Sequence, residues 1–309
     1  MTSPDVRTFT DLAFLSEAAA TEIVEIARAS ISSRGRFTVA LAGGSTPRRT
    51  YDLLGTRHRD AIDWARTDVF FGDERYVPHS DPQSNYKMAE DTLLRRVPIP
   101  ATHVHPIPTS AATLAEAADQ YEATLHRVLG DHRADAGDGD RGTGTSATVD
   151  VALLGVGPDG HTASLFPGSP ALEERGRWTR GVDAPAGIQP AVPRVTTTVP
   201  FLNGARAVLF LVAGEDKRRV VSEILRGGPA AQAYPAALIE PRGRVLWLIE
   251  PAAAMRSLAA FGRANNRVAR GELELAVVRG CFTVAKRARV LVAVNGAPGR
   301  GGSFERRLV

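Results

Sequence analysis

DVALLGVGPDGHTASLFPG, residues 150–168, is the stretch that says most about this chain. After one acid it runs apolar through Leu154 without polar alternation, which suits a strand buried on both faces of a parallel sheet. The strand then opens into a Gly-rich loop carrying Asp159 and His161 two residues apart. In an open α/β sheet, ligands bind beyond the carboxyl ends of the strands. Histidine is the side chain suited to proton transfer near neutral pH, and a neighbouring carboxylate can orient its ring. A lone histidine is more often structural than catalytic, but this one stands in a strand-end loop beside an acid, and that points to catalysis.

Short apolar runs of the same kind occur at 37–42, 67–71, 207–213 and 244–249. Helical patterns lie between them at 15–32, 48–54, 86–94, 112–129 and 217–225. The alternation predicts an α/β fold: a mostly parallel, Rossmann-like sheet with right-handed crossovers and helices on both faces.

Two further strand ends carry polar residues. In VALAGGSTP, residues 39–47, Gly43 and Gly44 permit a tight turn, Ser45 and Thr46 offer N-cap hydroxyls, and Pro47 suits the first helical position. Free N–H groups and hydroxyls at a helix start would receive a phosphate, although capping alone also explains the composition. In VFFGDERYVP, residues 69–78, a strand stops at Asp73, Glu74 and Arg75, a triplet that also suits a solvated turn with a local ion pair. Arg194 and Lys217 are two more cations, the latter following a strongly apolar strand and opening a helix. Three strand ends and two cations together fit one anionic sugar pocket.

The 309 residues and 43% hydrophobic content support a sizeable core. The N-terminus carries acids and lacks the basic flank and apolar run of a signal peptide, and the apolar runs fall well below the ~20 residues that span a bilayer. A cytoplasmic chain with no membrane partner is expected. The single cysteine, Cys281, can form neither an internal disulfide nor a thiolate zinc cluster. The net charge of +4 has its source in residues 259–309, where ten Arg and Lys face three Glu, so the remainder is net negative. A nucleic-acid partner of the main body is not expected. Residues 134–147, with no apolar side chain larger than Ala, read as a flexible insertion. The expected organisation is one α/β domain over 1–258 and a basic C-terminal extension over 259–309.

In order along the chain, LAGGSTP (41–47), FFGDERYVP (70–78), SNYKMAEDTLL (84–94), LLGVGPDGHTASLFPG (153–168), VPRVTTTVPFLN (192–203) and AGEDKRRVV (213–221) resemble segments of the 6-phosphogluconolactonase family. The resemblance runs from about residue 8 to about 258. It implies a sheet architecture shared with glucosamine-6-phosphate deaminases and ribose-5-phosphate isomerases. It also implies hydrolysis of 6-phospho-D-glucono-1,5-lactone without metal or organic cofactor; for the assembly, monomer and homodimer both stay open. His161 is then the general base, with Asp159 and Arg75 as its charged partners. Gly43, Gly44, Ser45, Thr46, Asp73, Arg194 and Lys217 are the substrate and phosphate contacts. A glucosamine-6-phosphate deaminase shares the Gly-x-Asp-Gly-His string, but Phe166 stands where that family's ring-opening Glu belongs, and Arg75 where it tends to have Tyr. A non-catalytic sugar-phosphate sensor is the alternative from another class. The basic extension is the main departure from the family pattern.

Overall fold

The structure, a computed structural model, describes residues 5–130, 148–241, 243–250 and 252–253. The insertion at 134–147 and the extension at 259–309 lie outside these residues. The strands are β1 (Asp5–Thr8), β2 (Phe37–Leu41), β3 (Thr67–Phe71), β4 (Asp73–Arg75), β5 (Val151–Leu154), β6 (Thr179–Val182), β7 (Arg194–Thr197), β8 (Ala207–Val212) and β9 (Arg244–Ile249). The α-helices are α1 (Leu12–Arg34), α2 (Ser45–Gly55), α3 (Asn85–Ala89), α4 (Leu114–Gly130), α5 (Val199–Asn203) and α6 (Arg218–Arg226).

Six strands form one parallel sheet in the order β1-β9-β8-β5-β2-β3; five of them are the unalternated apolar runs of the sequence, and the sixth, β1 (DVRT), is an edge strand that no such run marks. Every residue of β2, β5 and β8 is buried. The crossovers from β1 to β2 and from β2 to β3 step one way across the sheet and carry α1 and α2, which pack on each other. The later crossovers step the other way, so the right-handed rule sends their helices to the opposite face. The direction changes between neighbours β2 and β5, which opens a crevice beyond their carboxyl ends. At the other end of these strands, buried Asp150 ties β5 to β2 by accepting from the Thr38 N–H (2.8 Å) and pairing with Arg34 (2.6 Å).

Two tyrosines complete hydrogen bonding at strand ends. The Tyr51 hydroxyl accepts from the Ala42 N–H (2.9 Å) and donates to the Ala42 carbonyl (2.8 Å). Tyr121 does the same for Phe71, at 2.8 and 2.9 Å, on edge strand β3. Burial raises both hydroxyl pKa values, so each stays a neutral donor and acceptor.

A second sheet, antiparallel in the order β4-β7-β6, is absent from the sequence expectation. Gly72 is the pivot between the sheets: its N–H donates to Leu41 of the parallel sheet (2.8 Å), and its carbonyl accepts the Thr197 N–H (2.8 Å). The 69–78 segment thus passes from β3 in one sheet to β4 in the other by way of Gly72, and its charged triplet is β4 itself rather than a solvated turn. Helix α2 also starts earlier than predicted. Gly44 is the N-cap, with φ 103°, a conformation that favours glycine, so Ser45 and Thr46 are already helical and neither hydroxyl caps the helix.

Candidate active site

The loop after β5 holds Asp159 and His161 together in a fixed geometry. The Asp159 carboxylate lies 2.5 Å from His161 Nδ1 and also accepts the His161 N–H at 3.2 Å. With Nδ1–H donating to Asp159, the neutral ring keeps its lone pair on Nε2. The His161 ring packs against Phe166 with centroids 5.0 Å apart. Gly157 makes this possible: a Cβ there would fall 2.2 Å from His161 Nδ1 and Cε1 and 2.7 Å from Asp159 Oδ1. Ala163, two residues on, has φ 48°, the one positive value among the described non-glycine residues, and marks local strain beside the histidine.

The antiparallel sheet contributes the cations. The β4–β7 register puts Arg75 directly opposite Arg194 and Asp73 opposite Thr196. Like charges facing across a ladder destabilise a sheet, so two facing arginines call for an anion between or beside them. Both Nε atoms are buried without a partner. One Arg75 Nη donates to the Gln83 carbonyl (2.6 Å) and one Arg194 Nη to the Pro190 carbonyl (3.0 Å). Arg194 is only 3% exposed, and its guanidinium carbon lies 5.2 Å from the Phe166 ring centroid. Burial lowers its pKa, Asp73 opposes that fall, and Arg75 adds to it.

Asp73 is held from two sides. Its carboxylate accepts from Asn85 Nδ2 (3.0 Å) and from Ser164 Oγ (2.5 Å). The Asn85 side chain lies so close to the turn after β2 that a Cβ on Gly43 would fall 2.0 Å from its Oδ1. Glu74, on the opposite face of β4, accepts from the N–H groups of Asn85 (2.7 Å) and Tyr86 (2.8 Å) and from Ser84 Oγ (2.9 Å). Burial raises its pKa, with those donors opposing the shift. It anchors the start of α3 and does not line the cavity.

These pieces line an open cleft of about 270 Å³. Asp73, Arg75 and Arg194 come from the antiparallel sheet, Pro158, His161, Ala163 and Ser164 from the loop after β5, and Gly187, Ile188 and Gln189 from the β6–β7 connection. Four of the sequence-predicted residues, Asp73, Arg75, His161 and Arg194, thus converge, with Asp159 bonded behind the histidine. Gly43 abuts Asn85 behind Asp73. Gly44, Ser45 and Thr46 form the start of α2 outside the cavity lining, and the Lys217 ammonium pairs with Asp216 at 2.8 Å. Lys217 lies in a 3-10 turn just before α6 rather than inside the helix. Ser164, Asn85 and Gln189 are lining or supporting residues that the sequence pattern does not predict. Ser164 and Asn85 lie inside the family-like segments 153–168 and 84–94, whereas nothing local distinguishes Gln189. Among the described residues, no group of three or more His, Cys, Asp and Glu is placed to hold a metal ion, and no helix is long and apolar enough to cross a membrane.

Residues 10–247 match the family described as glucosamine-6-phosphate isomerases/6-phosphogluconolactonase. The chain is 40% identical over 223 residues to a 6-phosphogluconolactonase of Synechocystis, covering 71% of this chain and 84% of that one. It is 37% identical over 259 residues to a 6-phosphogluconolactonase of Streptomyces coelicolor, covering 82% and 94%. The crystal structure of 6-phosphogluconolactonase from Leishmania guyanensis superposes with a TM-score of 0.70 at 31% identity, covering 81% of this chain and 97% of that one. A monomeric glucosamine-6-phosphate deaminase shares the fold, with a TM-score of 0.66 at 22% identity, covering 81% and 98%. By sequence and by architecture, the chain belongs to the glucosamine-6-phosphate isomerase/6-phosphogluconolactonase family.

Proposed function

We propose that this chain hydrolyses 6-phospho-D-glucono-1,5-lactone to 6-phospho-D-gluconate, the second step of the oxidative pentose phosphate pathway. The observation that carries the reading is the Asp159–His161 pair opening onto the same cavity as the facing Arg75 and Arg194. The similar chains named 6-phosphogluconolactonase support it. His161 Nε2 takes a proton from water as the water oxygen bonds to the lactone carbonyl carbon. Arg75 stabilises the oxyanion, the bond from that carbon to the ring oxygen breaks, and the ring oxygen takes the proton back from the imidazolium. A δ-lactone is an activated ester, so positioned water, a base and charge stabilisation suffice. Arg194, the start of α2 with Ser45 and Thr46, and a Lys217 released from Asp216 receive the 6-phosphate, and Asp73 receives sugar hydroxyls.

The deaminase alternative loses support at Phe166, which is 1% exposed, packed on His161 and covered by Arg194, so no carboxylate stands there to open a ring. The activity resides in the α/β domain of residues 1–258, in the cytoplasm where a charged phosphosugar is retained, and in a monomer or homodimer. The test is the hydrolysis rate of freshly generated 6-phosphogluconolactone, corrected for spontaneous opening, beside a glucosamine 6-phosphate deamination assay. Lactone turnover well above background, no deamination, and loss of turnover by about 10²-fold or more in His161→Ala are expected. A folded His161→Ala at the wild-type rate would overturn the assignment.

A further inference from the structure

The loop bearing His161 is gripped at its middle residue from outside the cavity. Gly160 has φ 83°, and a Cβ built on it would fall 2.5 Å from Tyr234 Cδ1, 2.8 Å from Tyr234 Cβ and 2.9 Å from Tyr234 Cγ. The tyrosine ring therefore lies directly against the Gly160 Cα. Two residues further on, the Ala236 N–H donates to the Gly160 carbonyl at 3.0 Å. The ring is itself tethered: the Tyr234 hydroxyl donates to Glu223 of α6, and Arg219 lies 3.4 Å from both Glu223 and that hydroxyl. Because Gly160 separates Asp159 from His161, any shift of Gly160 changes the angle at which these two side chains meet.

We propose that Tyr234 is a positioning residue: its ring, lying on Gly160, sets the height of the Asp159–Gly160–His161 loop and so the geometry of the Asp159–His161 pair. This rests on His161 as the base of the proposed reaction, but the contact can be read without turnover. The charged groups around His161 are Asp159, hydrogen-bonded to it, and Asp73, Arg75 and Arg194 lining the same cavity; Arg219 and Glu223 flank the tyrosine.

The test compares wild type, Tyr234→Ala, Tyr234→Phe and His161→Ala in lactone hydrolysis, together with the pH titration of the His161 ring followed by NMR, assigned with His161→Ala. In Tyr234→Ala, kcat is expected to fall about tenfold or more while KM stays within about twofold, since a displaced base loses rate rather than binding. The His161 titration midpoint moves in the same variant, a change that a purely structural role would not produce. Tyr234→Phe, which keeps the ring on Gly160, restores both readouts. A folded Tyr234→Ala with wild-type kcat and an unmoved titration overturns the proposal, as does a Tyr234→Phe as impaired as the alanine variant. If His161→Ala keeps its rate while Tyr234→Ala still moves the titration, the base assignment fails and the positioning role stands. Should Tyr234→Ala not fold, Tyr234→Leu, which keeps bulk without a flat face, takes its place: a lowered kcat with a moved titration supports the proposal, and wild-type values of both overturn it.

Discussion

Replacing Gly157 by Ala should disable the reaction without unfolding the protein. Gly157 does not have a positive φ, so alanine fits its backbone and the effect comes from the added methyl alone. That methyl would lie 2.2 Å from His161 Nδ1 and Cε1, about 1.3 Å short of the roughly 3.5 Å at which non-bonded atoms rest. The ring cannot be carried away with the backbone, because the Gly157 N–H is bonded to the His161 carbonyl at 2.9 Å. The side chain must therefore rotate off Asp159, whose 2.5 Å contact fixes its tautomer. A base misplaced by about 1 Å costs on the order of 10²-fold in rate, equivalent to about 2.7 kcal/mol of activation free energy. The assay is lactone hydrolysis at saturating substrate beside a thermal melt. A folded Gly157→Ala with kcat within about threefold of wild type would refute the placement of His161 and Asp159 as the proton-transfer pair.

Arg194→Met keeps the bulk over Phe166 and removes one of two facing guanidinia, so Tm should hold or rise while KM for the lactone rises about tenfold or more; a lower Tm with unchanged KM would remove Arg194 from anion binding. Tyr51→Phe leaves the buried N–H and carbonyl of Ala42 without their hydroxyl partner, a loss of about 1–3 kcal/mol in urea unfolding, and a negligible change would mean that the strand end is satisfied otherwise. Asp68 is buried enough that desolvation alone would raise its pKa, yet the His105 hydrogen bond (2.8 Å) and Arg36 (3.1 Å) hold it below the usual value. A depressed carboxyl pKa contributes stability that is present above the unfolded value of about 3.9 and lost as pH falls through the folded value. Asp68→Asn should therefore be less stable than wild type at neutral pH and lose that deficit on acidification, as read by urea melts across the range. A deficit independent of pH would contradict the pairing.

The parallel sheet was legible in the sequence because strands buried on both faces must be apolar at every position, and residues 37–41, 151–154 and 207–212 show that uninterrupted burial. The Asp159–His161 pair was legible for the same local reason: a strand that ends in glycines must turn, and the polar residues beyond it face the sheet edge. The antiparallel sheet was not legible. Its strands are three and four residues long, β4 reads as a charged turn, and β4 pairs with β7 more than a hundred positions away. Ser164 and Asn85 were not legible either, because their role is to hold Asp73, and the residues they bridge are far apart in the chain. The sequence by itself determined five of the six parallel strands, their alternation with helices, and the placing of Asp159 and His161 together in one strand-end loop, since burial periodicity and turn chemistry act between neighbours. Only the tertiary structure decided that Arg75 faces Arg194 and that Tyr234 lies on Gly160, because such contacts are set by register and packing between segments and leave no periodic trace in the chain.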